Sequence, residues 1–520
     1  MTDDAEPQPI HGPPSPPSLL EAAAPVVLLV VLIVLGIVLY GGDFTAGPVQ
    51  VALIFCAIVA GLIGITNGHS IETMGKAAVD AISMAIGAIF ILLAVGALIG
   101  TWNMSGTIAT MVHFGIGIID ANWFYLAAAV VSGGIALGIG SAWTVIGTIG
   151  VALIAIAELL GVDPILTAGA VISGAYFGDK MSPLSETTNL APAVTGTDLY
   201  THIRAMMPTT IPSILIALVI YLVLGLNADA VPALDLSVAT DTIEATYQVG
   251  LLALIPLLIV IVMAVRRIPP TITILTGALA GGIVAVILQP DLVLTFAAEE
   301  SLTDPLVMLK GVWTAMASGF VLETGIPGMD DLFSGGGMEG MLGTIWLILS
   351  ALAFGGIMEY TGSLARLIEP LVRRAKDARS LLVTTALTAI GINIVAADQY
   401  LAIVLSGRMY KQRYANMGIA PETLSRQIED TATVTSPLIH WNSCGAYVSA
   451  TLGITTMAYL PFAFFNWINP LVSIAYALLG WQIHTIEPQE EPSEGPDKAR
   501  VYGIGDQPAT SPTGSVEPPR

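Results

Sequence analysis

Charge is scarce in this chain: Asp, Glu, Lys and Arg make up only 11% of its 520 residues. A soluble globular protein carries about 25%, so an ordinary soluble enzyme is excluded. Cysteine is nearly absent. The two thiols, Cys56 and Cys444, lie in apolar surroundings and supply neither a disulfide framework nor a metal cluster. Basic residues are few, 18 against 39 acidic ones, which argues against nucleic acid as a partner. No Lys or Arg precedes the first apolar run, unlike a cleaved signal peptide. No GxxxxGKS, GxxxxGKT, HExxH or GxSxG pattern occurs anywhere, so ATP hydrolysis, metal catalysis and covalent catalysis have no support. The expectation is a protein that is not an enzyme and needs no cofactor.

What the chain has in abundance is apolar surface. Hydrophobic residues make up 54%, mean hydropathy is +0.79, and there are 53 glycines, a type frequent in closely packed membrane helices. Runs able to span a bilayer cover about 25–41, 49–65, 81–100, 123–139, 141–160, 208–226, 248–265, 270–289, 342–358, 380–397 and 456–482. Stretches 165–205, 398–414 and 421–453 are apolar but interrupted by Pro, Gly and polar residues. Continuous runs of this kind imply helices rather than a barrel. The expected class is an all-α polytopic membrane protein with about 11–14 membrane segments. Of the 39 acidic residues, 23 fall in 1–24, 227–247, 290–341 and 483–520, so most of the acidity belongs to tails and loops. The ends, 1–24 and 483–520, read as disordered acidic tails. Gly335-Gly336-Gly337 reads as a flexible loop. An acidic surface of this kind also suits a high-salt cytoplasm.

A long-period repeat divides the chain. Gly87-Ala-Ile-Phe aligns with Gly343-Thr-Ile-Trp, Gly100 with Gly356 and Gly106 with Gly362, all at an offset of 256. Gly161-Val-Asp-Pro164 matches Gly418-Ile-Ala-Pro421 at 257, and Ser182-Pro-Leu matches Ser436-Pro-Leu at 254. The expected units are repeat 1 (25–226), an external acidic linker (227–247) and repeat 2 (248–482, with an inserted loop at 290–341). Loop charge suggests opposite orientations. Segment 359–379 holds Arg366, Arg373, Arg374, Lys376 and Arg379 and should be cytoplasmic, whereas its partner 103–122 holds no basic residue. Alternate counting places both tails inside a multi-pass cell-membrane protein. Seven plus seven inverted segments fit these anchors; 11 or 12 full spans with re-entrant hairpins fit nearly as well.

The most informative stretch is Gly174-Ala-Tyr-Phe-Gly-Asp-Lys-Met-Ser-Pro-Leu-Ser-Glu-Thr-Thr-Asn189. Half-length helices are expected at 165–177 and 190–207, leaving Asp179, Ser182, Ser185, Glu186, Thr187, Thr188 and Asn189 on unwound backbone. Such backbone is tolerated at membrane depth where it is buried or lines a cavity, and its oxygens suit a hard cation. A polar extramembrane loop is the bland alternative. A second break, Glu429 to Ser443, offers Asp430, Thr433, Thr435, Ser436, His440 and Asn442. Paired interruptions in repeat-related positions point to a transporter's midplane site. Asp398 lies within a third apolar stretch and is a candidate by that placement, although it could instead cap a helix. Lys180 is a candidate countercharge for Asp179 or Glu186, with snorkelling to an interface as the alternative. His440 is a candidate pH sensor or an ordinary structural histidine.

The run 174–189, continued by Leu-Ala-Pro-Ala-Val-Thr-Gly-Thr-Asp198-Leu-Tyr-Thr-His202-Ile-Arg204, resembles the signature of NhaC-type Na+/H+ antiporters. The runs Ala396-Ala-Asp-Gln-Tyr400 and Asp430–Tyr447 are similar to that family as well, and the likeness covers about 25–480. The family pattern has Asp where this chain has Glu186. The resemblance implies inverted repeats, broken helices and exchange of Na+ for H+ by alternating access. Asp179, Asp398, Glu186 and Asp430 would be coupling carboxylates. Ser182, Ser185, Thr187, Thr188, Asn189, Thr433, Thr435, Ser436 and Asn442 would be neutral oxygen ligands, unsuited to a transition metal. Expected partners are Na+, H+ and Li+, the lipid bilayer and, for assembly, a second copy. A Na+/H+-coupled exchanger of organic acids such as malate and lactate is the alternative; a non-transporting sensor or scaffold is more remote.

Overall fold

Twenty-two residues from Leu19 to Tyr40 form the first long helix of the computed structural model, which describes residues 14–41, 44, 47–228, 236–299 and 301–487. Its start corrects the expected tail boundary at 24. Ser18 and Glu21 form a capping box: Ser18 N donates to Glu21 Oε2 at 2.7 Å and Glu21 N to Ser18 Oγ at 3.3 Å. Most of both predicted tails lies outside the described residues.

Among the described residues, nine helices are long and apolar enough to cross a membrane. Two further candidates are bent pairs, Leu236–Thr246 with Leu251–Val265 at 84° and Thr456–Phe462 with Phe464–Leu479 at 59°. These eleven account for the eleven apolar runs, so the protein is an all-α polytopic membrane protein. Many large apolar side chains face outward, including Val30, Phe55, Leu215 and Ile283, as lipid contact requires.

The helices of the two halves correspond in order and length. Ile86–Met104 and Leu342–Tyr360 have 19 residues each and are followed by Gly106 (φ 73°) and Gly362 (φ 72°). That left-handed conformation costs an ordinary side chain about 1 kcal/mol or more, so glycine marks both turns. Twelve-residue helices follow, Thr107–Ile118 and Ser363–Arg374. Next come Phe124–Ile139 and Ala378–Ala396, each ending on a left-handed residue, Gly140 or Ala397. Ser141 and Asp398 then cap the succeeding helices. Ten-residue helices close the two series, Glu186–Thr195 and Ser443–Leu452.

Several expectations about local structure change. The first break is narrower than 178–189: Pro164–Met181 is helical throughout, and only Ser182–Ser185 separates it from Glu186–Thr195. Pro183 explains the location, because a residue before proline is driven to extended backbone, and Ser182 has φ −81° and ψ 129°. The helix expected at 190–207 is divided at Gly196 (φ 90°), and Leu199–Leu226 is a separate 28-residue helix. The linker contains Leu236–Thr246, and the inserted loop contains Pro290–Ala297 and Asp304–Ala317. The triple glycine is packed rather than loose. Gly337 N donates to Gly96 O at 2.6 Å, and Gly335 and Phe320 exchange backbone hydrogen bonds of 2.7 and 3.0 Å.

Glycine also sets the spacing of the helix that carries Asp179. A Cβ on Gly174 would lie 2.1 Å from Ala129 O, and one on Gly178 would lie 2.2 Å from Gly133 O. Pro164–Met181 therefore meets Phe124–Ile139 backbone to backbone. Gly174→Ala is expected to destabilise the protein by about 1–3 kcal/mol by forcing these helices apart. Gly134→Ala and Gly138→Ala, which meet nothing within 4 Å, should be tolerated. Thermal unfolding followed by size-exclusion chromatography in detergent separates the two outcomes.

Candidate functional site

The helix that leads into the first break meets the second break through a buried ion pair. Lys180 Nζ lies 2.8 Å from Asp430 Oδ1, and both side chains are 0% exposed. Asp430 Oδ1 also accepts from Thr209 Oγ1 at 3.2 Å, and Oδ2 accepts from Ser473 Oγ at 2.7 Å. Lys180 thus pairs with neither Asp179 nor Glu186, and it does not snorkel to an interface. Helix Pro164–Met181 contributes the cation and the π-helical turn Glu429–Thr433 the anion. The position of Lys180 in the last turn of Pro164–Met181 carries it inward to Asp430.

Beside this neutralised pair are two carboxylates with spare oxygens. Asp179 Oδ1 is enclosed and has no hydrogen-bond partner among the described residues. Glu429 is 0% exposed, and both Oε1 and Oε2 are without partners. Lys180 and Asp179 are charged neighbours of Glu429, and Thr187 and Thr433 are its hydroxyl neighbours. A buried carboxylate oxygen without a partner is costly as a bare anion, so these oxygens are places where a proton or a metal cation would be favoured.

The neighbouring acids Glu429 and Asp430 both lie in a segment that is enclosed on all sides. Residues Glu429–Thr433 form a π-helical turn, and all five are buried. A π turn accommodates an extra residue in the helix and is common at functional sites. Glu429 was not a predicted site residue. The signal was present nonetheless: it is an ionisable residue in an otherwise apolar membrane stretch, adjacent to Asp430.

Other predicted residues take different places. Asp398 is buried and caps Gln399–Asn416: Oδ1 accepts from Tyr400 N at 2.9 Å and Leu401 N at 3.0 Å, and Oδ2 accepts from Ser443 Oγ at 3.0 Å. Its charge is satisfied by three donors. Glu186 and Asn189 are exposed at the edge of the first break. Tyr400 OH donates to Glu186 Oε2 at 2.7 Å, while Asn189 Nδ2 donates to Pro183 O at 3.0 Å and Ser185 O at 2.6 Å. Asn189 therefore braces the break from outside.

The hydroxyls are mostly buried and mostly engaged. Ser182 Oγ accepts from Leu184 N at 3.2 Å, Ser185 Oγ and Thr187 Oγ1 are 3.1 Å apart, and Thr188 Oγ1 donates to Lys180 O at 3.0 Å. In repeat 2, Thr435 Oγ1 donates to Thr431 O at 2.6 Å and Ser436 Oγ to Thr433 O at 2.7 Å. Asn442 caps Ser443–Leu452 and donates to Asn393. Thr433 Oγ1 alone among the predicted hydroxyls is buried with no partner among the described residues. His440 is buried, with Nδ1 3.3 Å from Thr456 Oγ1, away from the acidic pair. A buried His202, Nδ1 2.8 Å from Ser425 Oγ, lies nearer: Lys180 is its charged neighbour.

This geometry sits within a recognisable sequence block: residues 174–481 match the model described as the Na+/H+ antiporter family. The chain belongs to that family. The antiporter is 34% identical over 431 residues to the Na+/H+ antiporter NhaC of Alkalihalophilus pseudofirmus, covering 83% of this chain and 90% of that protein. It is 32% identical over 492 residues to the arginine/ornithine antiporter ArcD of Halobacterium salinarum, covering 94% and 97%. It is also 32% identical over 461 residues to the malate-2H+/Na+-lactate antiporter of Bacillus subtilis, covering 87% and 94%. The matched block includes both breaks and every predicted site residue.

Proposed function

We propose that this antiporter exchanges Na+ for H+ across the cell membrane, with Asp179 and Glu429 as the group that binds either. The observation that carries this reading is the pair's three carboxylate oxygens without partners among the described residues, beside a Lys180–Asp430 bridge that is already neutral. Sodium is a hard cation and takes carboxylate, hydroxyl and carbonyl oxygens. Thr433 Oγ1 supplies a free hydroxyl next to the pair. Protons neutralise the carboxylates in the absence of Na+, and Na+ binding expels them. Two carboxylates limit the exchange to two protons per turnover.

The alternating-access step follows from the duplication. The two series of helices are read as inverted repeats, with both tails on the side that bears Arg366, Arg373, Arg374 and Lys376. Lys180 and Asp430 join the repeats at the site, so movement of one against the other changes which face the pair meets. Li+ shares the oxygen chemistry of Na+ and is read as a second transported ion.

Purified protein in proteoliposomes with an imposed pH gradient tests the proposal. Adding Na+ or Li+ should collapse the gradient, whereas choline should not. A gradient unaffected by Na+ in vesicles of demonstrated tightness would remove the Na+/H+ reading.

A further inference from the structure

The turn between two helices gathers cations that the fold does not use. Ser363–Arg374 is amphipathic: Leu364 and Ile368 are buried, whereas Arg373 and Arg374 in its last turn are exposed. Lys376 and Arg379 follow, also exposed, around the start of Ala378–Ala396. The two acids of this stretch are already engaged. Glu369 bridges Arg366 and Arg373, and Asp377 Oδ1 accepts from Ser380 N at 2.8 Å as the cap of the next helix. The Arg379 charge acts on Asp377 from beyond the 4.0 Å of an ion pair. The side chains of Arg374, Lys376 and Arg379 have no hydrogen bond or ion pair among the described residues.

The turn is ordered. Lys376 N and Asp377 N donate to Ser380 Oγ at 3.1 and 3.2 Å, and Arg413 Nη2 donates to Ala375 O at 3.1 Å, adding its charge to the same corner. The end of Phe464–Leu479 packs against it: a Cβ on Gly480 would lie 2.9 Å from Arg379 Nε. Leu478, Leu479 and Trp481 flank that glycine and are all exposed. The Trp481 ring stands edge-on to Tyr476, with centroids 5.6 Å apart. Exposed leucines, a tryptophan and a row of cations therefore meet at one corner of the protein. A bilayer presents the matching groups as acyl chain, interface and headgroup.

We propose that this corner binds an anionic phospholipid, with Arg374, Lys376 and Arg379 around its phosphate and its acyl chains along Leu478 and Leu479 beside Trp481. Guanidinium groups meet phosphate oxygens with paired donors, and the Lys376 ammonium adds a point charge. A zwitterionic lipid offers the same phosphate but brings its own ammonium group, which these cations repel. The bound lipid joins the start of Ala378–Ala396 to the end of Phe464–Leu479. This surface is separate from the Asp179–Glu429 pair and needs neither Na+ nor proton exchange, so its test reads no flux.

The test uses the purified full chain in detergent at fixed Na+, pH and low ionic strength. It is titrated with phosphatidylglycerol, with phosphatidylcholine of the same acyl chains, or with glycerol phosphate as a free headgroup. Thermal unfolding gives the response, and native mass spectrometry counts the lipids retained. Phosphatidylglycerol should raise the unfolding temperature saturably, at a concentration about tenfold or more below that needed with phosphatidylcholine. Glycerol phosphate, without acyl chains, should act far more weakly. The triple variant Arg374→Gln/Lys376→Gln/Arg379→Gln should weaken the phosphatidylglycerol response about tenfold or more, whereas Arg266→Gln/Arg267→Gln, which removes two exposed cations elsewhere, should leave it within about twofold. If the triple variant does not fold, the wild-type lipid series and Arg374→Gln decide. Equal stabilisation by the two lipids overturns the proposal. So does glycerol phosphate acting as strongly as the lipid, or a response that the Arg374, Lys376 and Arg379 substitutions weaken no more than the Arg266 and Arg267 ones.

Discussion

Asp179→Asn is expected to abolish Na+-dependent proton exchange, by about a hundredfold or more, while the protein still inserts and purifies as a folded species. Asn keeps the size of the side chain but cannot titrate, and it has one fewer oxygen for the cation. Glu429→Gln should have a comparable effect, because its carboxylate is wholly buried and both oxygens are unpartnered among the described residues. Asp398→Asn provides the contrast. Its side chain is occupied with Tyr400 N, Leu401 N and Ser443 Oγ, and Asn retains an acceptor for the helix cap. Exchange in that variant should stay within about tenfold of wild type. Proteoliposome flux normalised to folded protein checks all three, and near-normal exchange in both Asp179→Asn and Glu429→Gln would exclude the pair.

Breaking the Lys180–Asp430 bridge should have the largest effect on stability. Removing one member of a buried pair leaves an uncompensated charge and costs about 3–5 kcal/mol. Lys180→Met is therefore expected to unfold far below wild type in a detergent melt. The double variant Lys180→Met/Asp430→Asn should recover most of the loss, since neither charge then remains. A double variant no more stable than Lys180→Met would show that the pair is not the source of the cost.

The membrane class and the apolar runs were legible in the sequence because they rest on composition and spacing. Hydropathy identifies a span without tertiary information, and the helix terminators at Gly106 and Gly362 sit at a constant offset. Both breaks were legible for the same reason, since Pro183 follows the end of Pro164–Met181 and Pro437 lies in the short 3-10 turn Ser436–Leu438 that ends the second helical run. Which polar group faces which was not. Lys180 and Asp430 are 250 positions apart, and only packing of Pro164–Met181 against the second break joins them. Asp398 and Asp179 look alike in sequence, each an acid in an apolar stretch. Their difference lies in the donors that folding brings to them: two backbone N–H groups and the Ser443 hydroxyl for Asp398, and none among the described residues for Asp179 Oδ1. Glu429 was obscured because sequence alone does not show that this segment is enclosed on all sides, burying consecutive residues from Thr423 to Thr433.

Equilibrium binding of radioactive Na+ to the purified antiporter, measured across a pH series, tests competition at the Asp179–Glu429 pair most directly. If Na+ and H+ share these carboxylates, the apparent Na+ affinity should fall as pH is lowered, approaching about tenfold per pH unit for each proton displaced. Asp179→Asn and Glu429→Gln should each weaken binding and flatten that dependence. An Na+ affinity that is independent of pH in the wild type, or a pH dependence unchanged in both variants, would contradict the account.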